Sequence, residues 1–169
     1  MSLRVVSSSS SRAIRSLSMV SAGDVAPDFE LSNLQGKKFK LSSYTGKNPV
    51  VLFFYPADNT PGCTTEVCAF EKRAPDFKSK GAVVFGISSG GAADKEKFIR
   101  TNKLSATELL IDEGDKARNA FKVPRALFGL LPGRVTYVIG KDGKIVNVFD
   151  DLANAALHPE NALKTLGTK

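Results

Sequence analysis

In residues 48–68, NPVVLFFYPADNTPGCTTEVC, an apolar segment is followed by a polar loop and the start of a predicted helix. This stretch opens with an uninterrupted apolar run, VVLFFY, which is typical of a strand buried on both faces of a sheet. Pro56 ends the run, and the polar loop after it leads to Pro-Gly and two threonines, which mark the start of a helix. Both cysteines of the chain, Cys63 and Cys68, lie at this helix start, five residues apart.

The segments around this stretch alternate between strand and helix patterns. Upstream, alternating apolar residues around the turn residues Asn33 and Gly36 predict a β-hairpin. The helix that carries the cysteines is expected over residues 64–80, with a kink or a break at Pro75, because proline removes a hydrogen bond inside a helix. The further expected elements are, in chain order, a buried strand in 82–89, a helix in 93–103, a strand in 107–112, a helix in 115–123, a hairpin in 134–150 and a helix in 158–167.

This order predicts an α/β domain with a mixed central sheet and helices on both faces, over residues 23–169. Residues 1–22 differ from the rest: they are rich in serine, contain Arg4, Arg12 and Arg15, and carry no acidic residue. Such a composition is typical of an organelle transit peptide, and the alternative is a disordered leader without an address.

The net charge of the chain is +7. Its lysines are scattered and are not interleaved with aromatic residues, which favours a solvated basic surface over a nucleic-acid site. No apolar run approaches the roughly 20 residues needed to cross a bilayer, so no membrane span is expected.

Two closely spaced cysteines are compatible with several kinds of site. A structural disulfide over so short a loop would give little stabilisation. A zinc site needs about four nitrogen or sulfur ligands, and the chain offers two thiols and one imidazole, His158, far away in sequence. Inert buried thiols are a third alternative, which suits Cys68, beside Val67 and Phe70, better than Cys63.

The position of Cys63 favours a reactive thiol. Unpaired backbone N–H groups at a helix N-terminus stabilise the thiolate, which is the nucleophilic form. On a regular helix the Cα atoms of Cys63 and Cys68 would be roughly 8.7 Å apart, whereas a disulfide requires less than about 7 Å. The two sulfurs can therefore bond only if the first turns of the helix unwind, and Pro75 is expected to ease that change.

The loop PADNTPGC, with Pro56, Thr60 and Cys63 at fixed spacing, resembles the active-site pattern of the peroxiredoxins. The presence of a second cysteine five residues after Cys63 resembles the pattern of the subgroup called peroxiredoxin Q or bacterioferritin comigratory protein. The resemblance extends from about Val25 to Leu166, and the segment LFGLLPGRVTYV resembles the plastid members, in agreement with the leader. It implies a thioredoxin-like fold with an added N-terminal β-hairpin, and a chloroplast location ahead of a mitochondrial one.

The resemblance further implies a thiol-dependent peroxidase acting on hydrogen peroxide and alkyl hydroperoxides. Cys63 would be the peroxidatic cysteine, whose thiolate attacks the peroxide O–O bond and becomes a sulfenic acid. Cys68 would be the resolving cysteine, which forms an intramolecular Cys63–Cys68 disulfide that thioredoxin reduces. No metal or organic cofactor is expected, and the intramolecular pair favours a monomer.

The same resemblance implies roles for the residues around the peroxidatic cysteine. The Thr60 hydroxyl would hydrogen-bond the thiolate and the peroxide, and Arg134 would stabilise the thiolate and hold the peroxide. Pro56 would shield the site from water. The backbone N–H groups of Gly62 and Cys63 could donate to the peroxide oxygens.

Three other functions stay open on the residues alone. The segment GISSG, residues 86–90, follows a strand and matches the G-x-S-x-G pattern of a serine hydrolase, with Ser88 as nucleophile and His158 further on. A thiol–disulfide oxidoreductase acting on proteins would keep the fold, although such enzymes use C-x-x-C. A redox-sensing interaction protein is the non-enzymatic alternative.

Among peroxiredoxins this chain is also unusual, because Glu71 stands where family members often carry an arginine.

Overall fold

The computed structural model describes residues 19–167, which form a seven-stranded sheet, a two-stranded hairpin and four α-helices. The strands are β1 (Glu30–Asn33), β2 (Lys38–Lys40), β3 (Val50–Phe54), β4 (Val83–Ser88), β5 (Glu108–Ile111), β6 (Arg125–Ala126), β7 (Leu131–Pro132), β8 (Val135–Ile139) and β9 (Ile145–Asp150). The helices are α1 (Pro61–Ser79), α2 (Ala92–Thr101), α3 (Lys116–Ala120) and α4 (Leu157–Gly167).

The large sheet is mixed, with the strand order β2-β1-β5-β4-β3-β8-β9. Strands β3, β4 and β5 run parallel, and the hairpins β1–β2 and β8–β9 add antiparallel strands at the two edges. The α/β class, the mixed sheet and the N-terminal hairpin expected from the sequence are confirmed.

Strand β3 lies inside the sheet, and all five of its residues are buried, as its continuous apolar run predicts. Alternate side chains enter two separate cores. Leu52 packs in one core with Ala117 of α3 and Phe121 just after that helix. Phe53 packs with residues of α1, α2 and α4, including Phe70, on the other face. Helices therefore cover both faces of the sheet.

Helix α1 differs from its expected form at both its start and its middle. It begins at Pro61, earlier than the threonines after Cys63 suggested, because proline at the first helical position has a preset φ and lacks only an N–H that would be unpaired anyway. It also runs through Pro75 as a single helix, so of the two alternatives expected there, a kink or a break, the break was wrong. Packing explains the continuity: Phe70 stacks on Phe53 at 4.0 Å, and Phe77, beyond the proline, stacks on Phe70 at 5.7 Å.

The predicted leader lies mostly outside the described residues, because residues 1–18 are not among them. Met19 and Val20 pack against the core that includes Leu31 of β1 and Ala117 of α3. The small β6–β7 hairpin was not predicted, since strands of two residues leave no periodic signal. Within residues 19–167, no helix is long and apolar enough to cross a membrane.

Candidate active site

Cys63 lies in the first turn of α1, with 1% of its surface exposed. Its thiol is free and belongs to the core that α1 shares with Tyr55 at the end of β3. The strand, the loop and the helix of residues 48–68 thus bring the sulfur against the buried end of the central strand. At this position the N–H groups of the first helical turn have no partners within the helix.

Arg134 reaches Cys63 from the position just before β8, the strand that pairs with β3. The register of β3 with β8 pairs Phe54 with Val135. Arg134, one residue before Val135, therefore lies next to Tyr55, one residue after Phe54. Its Nη2 lies 3.6 Å from the Cys63 sulfur and its Nη1 lies 3.5 Å from the Gly62 carbonyl oxygen. The structure therefore brings together Cys63 and Arg134, two residues separated by 71 positions that the sequence assigned to one site.

Gly62 makes this approach possible. A Cβ atom at position 62 would lie 3.0 Å from Nη2 of Arg134, closer than side chains normally tolerate. Because glycine has no Cβ, the backbone at the start of the helix can lie close to the guanidinium. This is a steric role for Gly62 in addition to the N–H donor predicted from the sequence.

Glu66 is a member of the site that the sequence did not reveal. Its carboxylate is fully buried and accepts a hydrogen bond from Nη1 of Arg134. Burial raises the pKa of Glu66, and the Arg134 guanidinium opposes that shift. Burial lowers the pKa of Arg134, but Glu66 and Cys63 outweigh it, so the guanidinium stays charged. The signal was present: Glu66 follows Cys63 by three residues, which places both on one face of a helix.

Arg118 and the loop after β3 complete the frame of the site. Arg118 is buried and donates to the Gly133 carbonyl (2.8 Å) and the Tyr55 carbonyl (2.9 Å). It therefore joins the residue before Arg134 to the residue before Pro56. Pro56 is half-buried at the start of the loop that leads to α1.

Thr60 occupies the N-cap position of α1, but its hydroxyl donates to the Ala57 carbonyl at 3.1 Å and makes no side-chain cap. The bond that was expected from Thr60 to the Cys63 thiolate is absent in this conformation of the described residues.

Comparison with known proteins identifies the family. The AhpC/TSA family profile matches residues 22–148. The chain belongs to this family, the peroxiredoxins. Peroxiredoxin Q, chloroplastic, of Oryza sativa subsp. japonica is 45% identical over 147 residues, which cover 87% of this chain and 67% of the relative. The corresponding protein of Sedum lineare is 44% identical and is covered to 78%.

Solved structures agree with this assignment. Peroxidoxin BcpB from Mycobacterium tuberculosis matches with a TM-score of 0.77 and 37% identity, covering 86% of this chain and 96% of that one. Peroxiredoxin Q from Xanthomonas campestris matches with a TM-score of 0.71 and 27% identity, over 88% and 97% of the two chains. The thioredoxin-like fold, the resemblance to peroxiredoxin Q and the class of thiol-dependent peroxidase are thereby confirmed. The relatives' chloroplastic names also support the plastid location.

The second thiol of this peroxiredoxin, Cys68, lies on the same helix as Cys63 and is also free. It is partly buried, and its sulfur lies 3.8 Å from Oδ1 of Asn102. Burial raises the pKa of the Cys68 thiol, and the negative charge of Glu71 adds to the shift. Because the helix is continuous between the two cysteines, their sulfurs cannot bond in this conformation.

Glu71, the residue that departs from the family pattern, fastens the middle of α1 to the loop before β5. Its carboxylate accepts from the N–H groups of Ser105 (2.7 Å), Ala106 (2.9 Å) and Thr107 (2.7 Å), and from the Ser105 hydroxyl (2.9 Å). Burial alone would raise the pKa of Glu71, but these donors outweigh it and lower the pKa to about 2. The clamp lies between the two cysteines and Pro75.

His158 is a core residue rather than a metal ligand or a hydrolase base. Its Nε2 lies 2.8 Å from the Asp151 carbonyl, which can only accept, so Nε2 carries the proton. Nδ1 then accepts from the Thr136 hydroxyl at 2.8 Å. Burial lowers the pKa of His158 to about 4, which keeps the ring neutral. Among residues 19–167 no group of three potential metal-binding side chains occurs.

Ser88, the nucleophile of the hydrolase hypothesis, is buried and bonds to Lys95 and Asp58, not to a histidine. A serine with 1% exposure and no histidine partner in the described part of the chain cannot work as an exposed nucleophile. The hydrolase hypothesis was therefore wrong.

Proposed function

We propose that this peroxiredoxin reduces hydrogen peroxide and organic hydroperoxides at Cys63. The observation that carries the proposal is the 3.6 Å contact between Arg134 Nη2 and the Cys63 sulfur at a helix start. The thiolate attacks one peroxide oxygen, the O–O bond breaks, and the leaving oxygen takes up a proton to give water or an alcohol. Cys63 is thereby oxidised to a sulfenic acid.

The surrounding groups stabilise the charge that develops on the leaving oxygen. Arg134 faces the sulfur and supplies a fixed positive charge. The N–H groups of Gly62 and Cys63 point out of the first turn and donate to the peroxide oxygens, and Thr60 joins them once its hydroxyl turns away from Ala57. Pro56 borders the site and limits the access of water.

Resolution of the sulfenic acid requires Cys68. In this proposal the first turns of α1 unwind, the Cys68 thiolate attacks the Cys63 sulfur, and hydroxide leaves and is protonated to water. The continuous helix supports this view, because the roughly 8.7 Å expected between the Cα atoms forbids the bond while the helix is intact. A thioredoxin dithiol then reduces the Cys63–Cys68 disulfide and returns both thiols.

The substrate class, the compartment and the oligomeric state complete the proposal. The bacterioferritin comigratory protein of Xanthomonas campestris, 27% identical, is described as reducing alkyl peroxides. The named plant relatives are chloroplastic, which agrees with a transit peptide over residues 1–22 and a plastid site of action. Because both cysteines lie on one helix, a single chain supplies the whole redox cycle, and we propose a monomer.

Quenched-flow oxidation tests this function. The reduced protein is mixed with hydrogen peroxide, free thiols are alkylated at set times, and the products are weighed by mass spectrometry. We expect rapid loss of one thiol and then the second, no reaction in Cys63→Ser, and one turnover in Cys68→Ser with a sulfenic acid that dimedone captures at Cys63. Thioredoxin and its reductase should sustain turnover only in the wild type.

Two outcomes would contradict the proposal. Wild-type oxidation as slow as that of a free thiol would leave a protein oxidoreductase or a redox sensor in its place. Equal dimedone labelling of Cys63 with and without Cys68 would show that Cys68 does not resolve the sulfenic acid.

A further inference from the structure

We propose that Lys95 and Asp58 are positioning residues for the peroxide step, a role that rests on the proposed function of Cys63. The Lys95 ammonium is completely buried, and so is all but 1% of the Asp58 side chain. Nζ of Lys95 lies 3.2 Å and 3.3 Å from the two carboxylate oxygens of Asp58. Charged side chains are almost never buried so fully unless they are paired.

Two further buried groups complete this network. The Tyr55 hydroxyl donates to Asp58 at 2.6 Å, and Lys95 donates to the Ser88 hydroxyl at 2.8 Å and to the Tyr55 hydroxyl at 3.1 Å. Gly90 leaves room for the carboxylate, because a Cβ atom there would lie 2.1 Å from Oδ2 of Asp58. Ser88 and Gly90 of the GISSG segment thus accommodate the Asp58 carboxylate.

The place of Asp58 in the chain links this network to the reaction. Asp58 lies midway between Pro56 and Thr60, in the loop that ends at the first turn of α1. The next residue, Asn59, has a φ of +62° and donates from its side chain to the Asp94 carbonyl at 3.1 Å. The Asp58–Lys95 ion pair and the Asn59–Asp94 hydrogen bond fasten the loop to the start of α2, and neither contact involves Cys68.

The physical consequence follows from the low dielectric of the core. A buried charge that loses its partner is strongly unfavourable, so the loop that carries Asp58 would leave its position if Lys95 became neutral. Thr60 would then leave its place at the N-cap of α1, and the first-turn N–H groups would lose their position for a peroxide at Cys63, which slows attack on the peroxide. Resolution already requires the first turns to unwind, so it is expected to be insensitive to the loss.

Four variants test this inference: Lys95→Met, Asp58→Asn, the double variant, and Lys97→Met as a control on the exposed side of α2. Quenched flow measures the rate of Cys63 oxidation and, at saturating peroxide, the rate of disulfide formation. Each single substitution should slow Cys63 oxidation by roughly tenfold or more and leave disulfide formation within about twofold. The rate of Cys63 oxidation should fall less in the double variant than in either single variant, because the double variant leaves no buried charge unpaired.

Hydrogen exchange of the reduced protein gives a second readout that needs no activity. Amides of residues 57–64 should exchange faster in both single variants and should be unchanged in Lys97→Met. If a single variant does not fold, the double variant and Ser88→Ala are measured instead. A purely structural role would lower Tm and leave the oxidation rate of the folded protein at the wild-type value, and that result would overturn the proposal.

Different results would contradict the positioning role of Lys95 and Asp58 and the peroxidase function of Cys63. A wild type that reacts slowly with peroxide would contradict the function, and the exchange data would still decide whether the pair positions the loop. A fast wild type with equally fast single variants would contradict the positioning role alone. If the two substitutions slowed Cys63 oxidation in a strictly additive way in the double variant, that result would also contradict the positioning role.

Discussion

A single guanidinium contacts both the sulfur of Cys63 and the buried carboxylate of Glu66: Nη2 of Arg134 lies 3.6 Å from the sulfur, and Nη1 donates to Glu66. A third donor, Nε, bonds to the Leu152 carbonyl at 3.1 Å. The planar fork of arginine supplies these three contacts at once, so the position of the charge beside the sulfur is fixed from three directions.

Arg134→Lys should therefore impair catalysis although it keeps the charge. One ammonium cannot reach Glu66, Leu152 and Cys63 together, and we expect the second-order rate of Cys63 oxidation to fall about 10²-fold. Arg125→Lys, whose residue bonds only to the exposed Gly129 carbonyl among the described contacts, is the matched control. Stopped-flow or quenched-flow measurement with hydrogen peroxide decides the matter, and a loss below about threefold would refute this view of Arg134.

Gly62→Ala should separate activity from stability. The new Cβ would lie 3.0 Å from Nη2 of Arg134 and would displace the guanidinium by a few tenths of an ångström. Alanine favours a helix over glycine by about 1 kcal/mol, so Tm should equal or exceed that of the wild type. The oxidation rate should fall roughly threefold to tenfold. Gly91→Ala, where a Cβ meets nothing within 4 Å, should leave the rate unchanged.

Glu71→Gln should change the response of stability to acid. The pKa of Glu71 in the folded protein is about 2, below its ordinary value of 4.5, so ionisation of Glu71 stabilises the fold above pH 4.5, and this contribution is lost as the pH falls towards 2. At neutral pH the variant should unfold a few degrees lower, in line with about 1 kcal/mol for a partly exposed group.

Circular dichroism melting curves across the acid range test this prediction. The difference in Tm between wild type and Glu71→Gln should be largest above pH 4.5 and should shrink as the pH falls towards 2. Glu96→Gln, on the exposed side of α2, should show no such convergence. A difference that is constant with pH would mean that the clamp acts without its charge.

Pro75→Ala should stabilise the protein without changing the redox step. The substitution restores an N–H donor to the Glu71 carbonyl inside α1, and a gain of roughly 1–2 kcal/mol is expected after the smaller effect on the unfolded chain is subtracted. Glu71 is clamped to residues 105–107, between the proline and the cysteines, so disulfide formation should stay within about twofold of the wild-type rate. A slower rate would instead support the sequence-based expectation that Pro75 eases the unwinding.

Local sequence patterns predicted the local elements of this protein well. The apolar run before Pro56 gave the buried central strand, the turn residues Asn33 and Gly36 gave the first hairpin, and the loop pattern around Cys63 gave the family. These features are readable because a strand, a turn or a helix start depends on neighbours within a few residues. The start of α1 was misplaced for the same reason, since two overlapping start signals compete there.

The α/β class, the spacing of the two thiols on one helix and the family to which they point can all be read from the amino-acid sequence. Three features are visible only in the folded chain: Glu66 holds Arg134 beside Cys63, Ser88 contacts a buried Asp58–Lys95 pair, and α1 runs unbroken through Pro75. Each of these depends on contacts between residues far apart in the chain. Their strength comes from burial, which removes competing water and makes an unpaired charge or a lost aromatic contact costly.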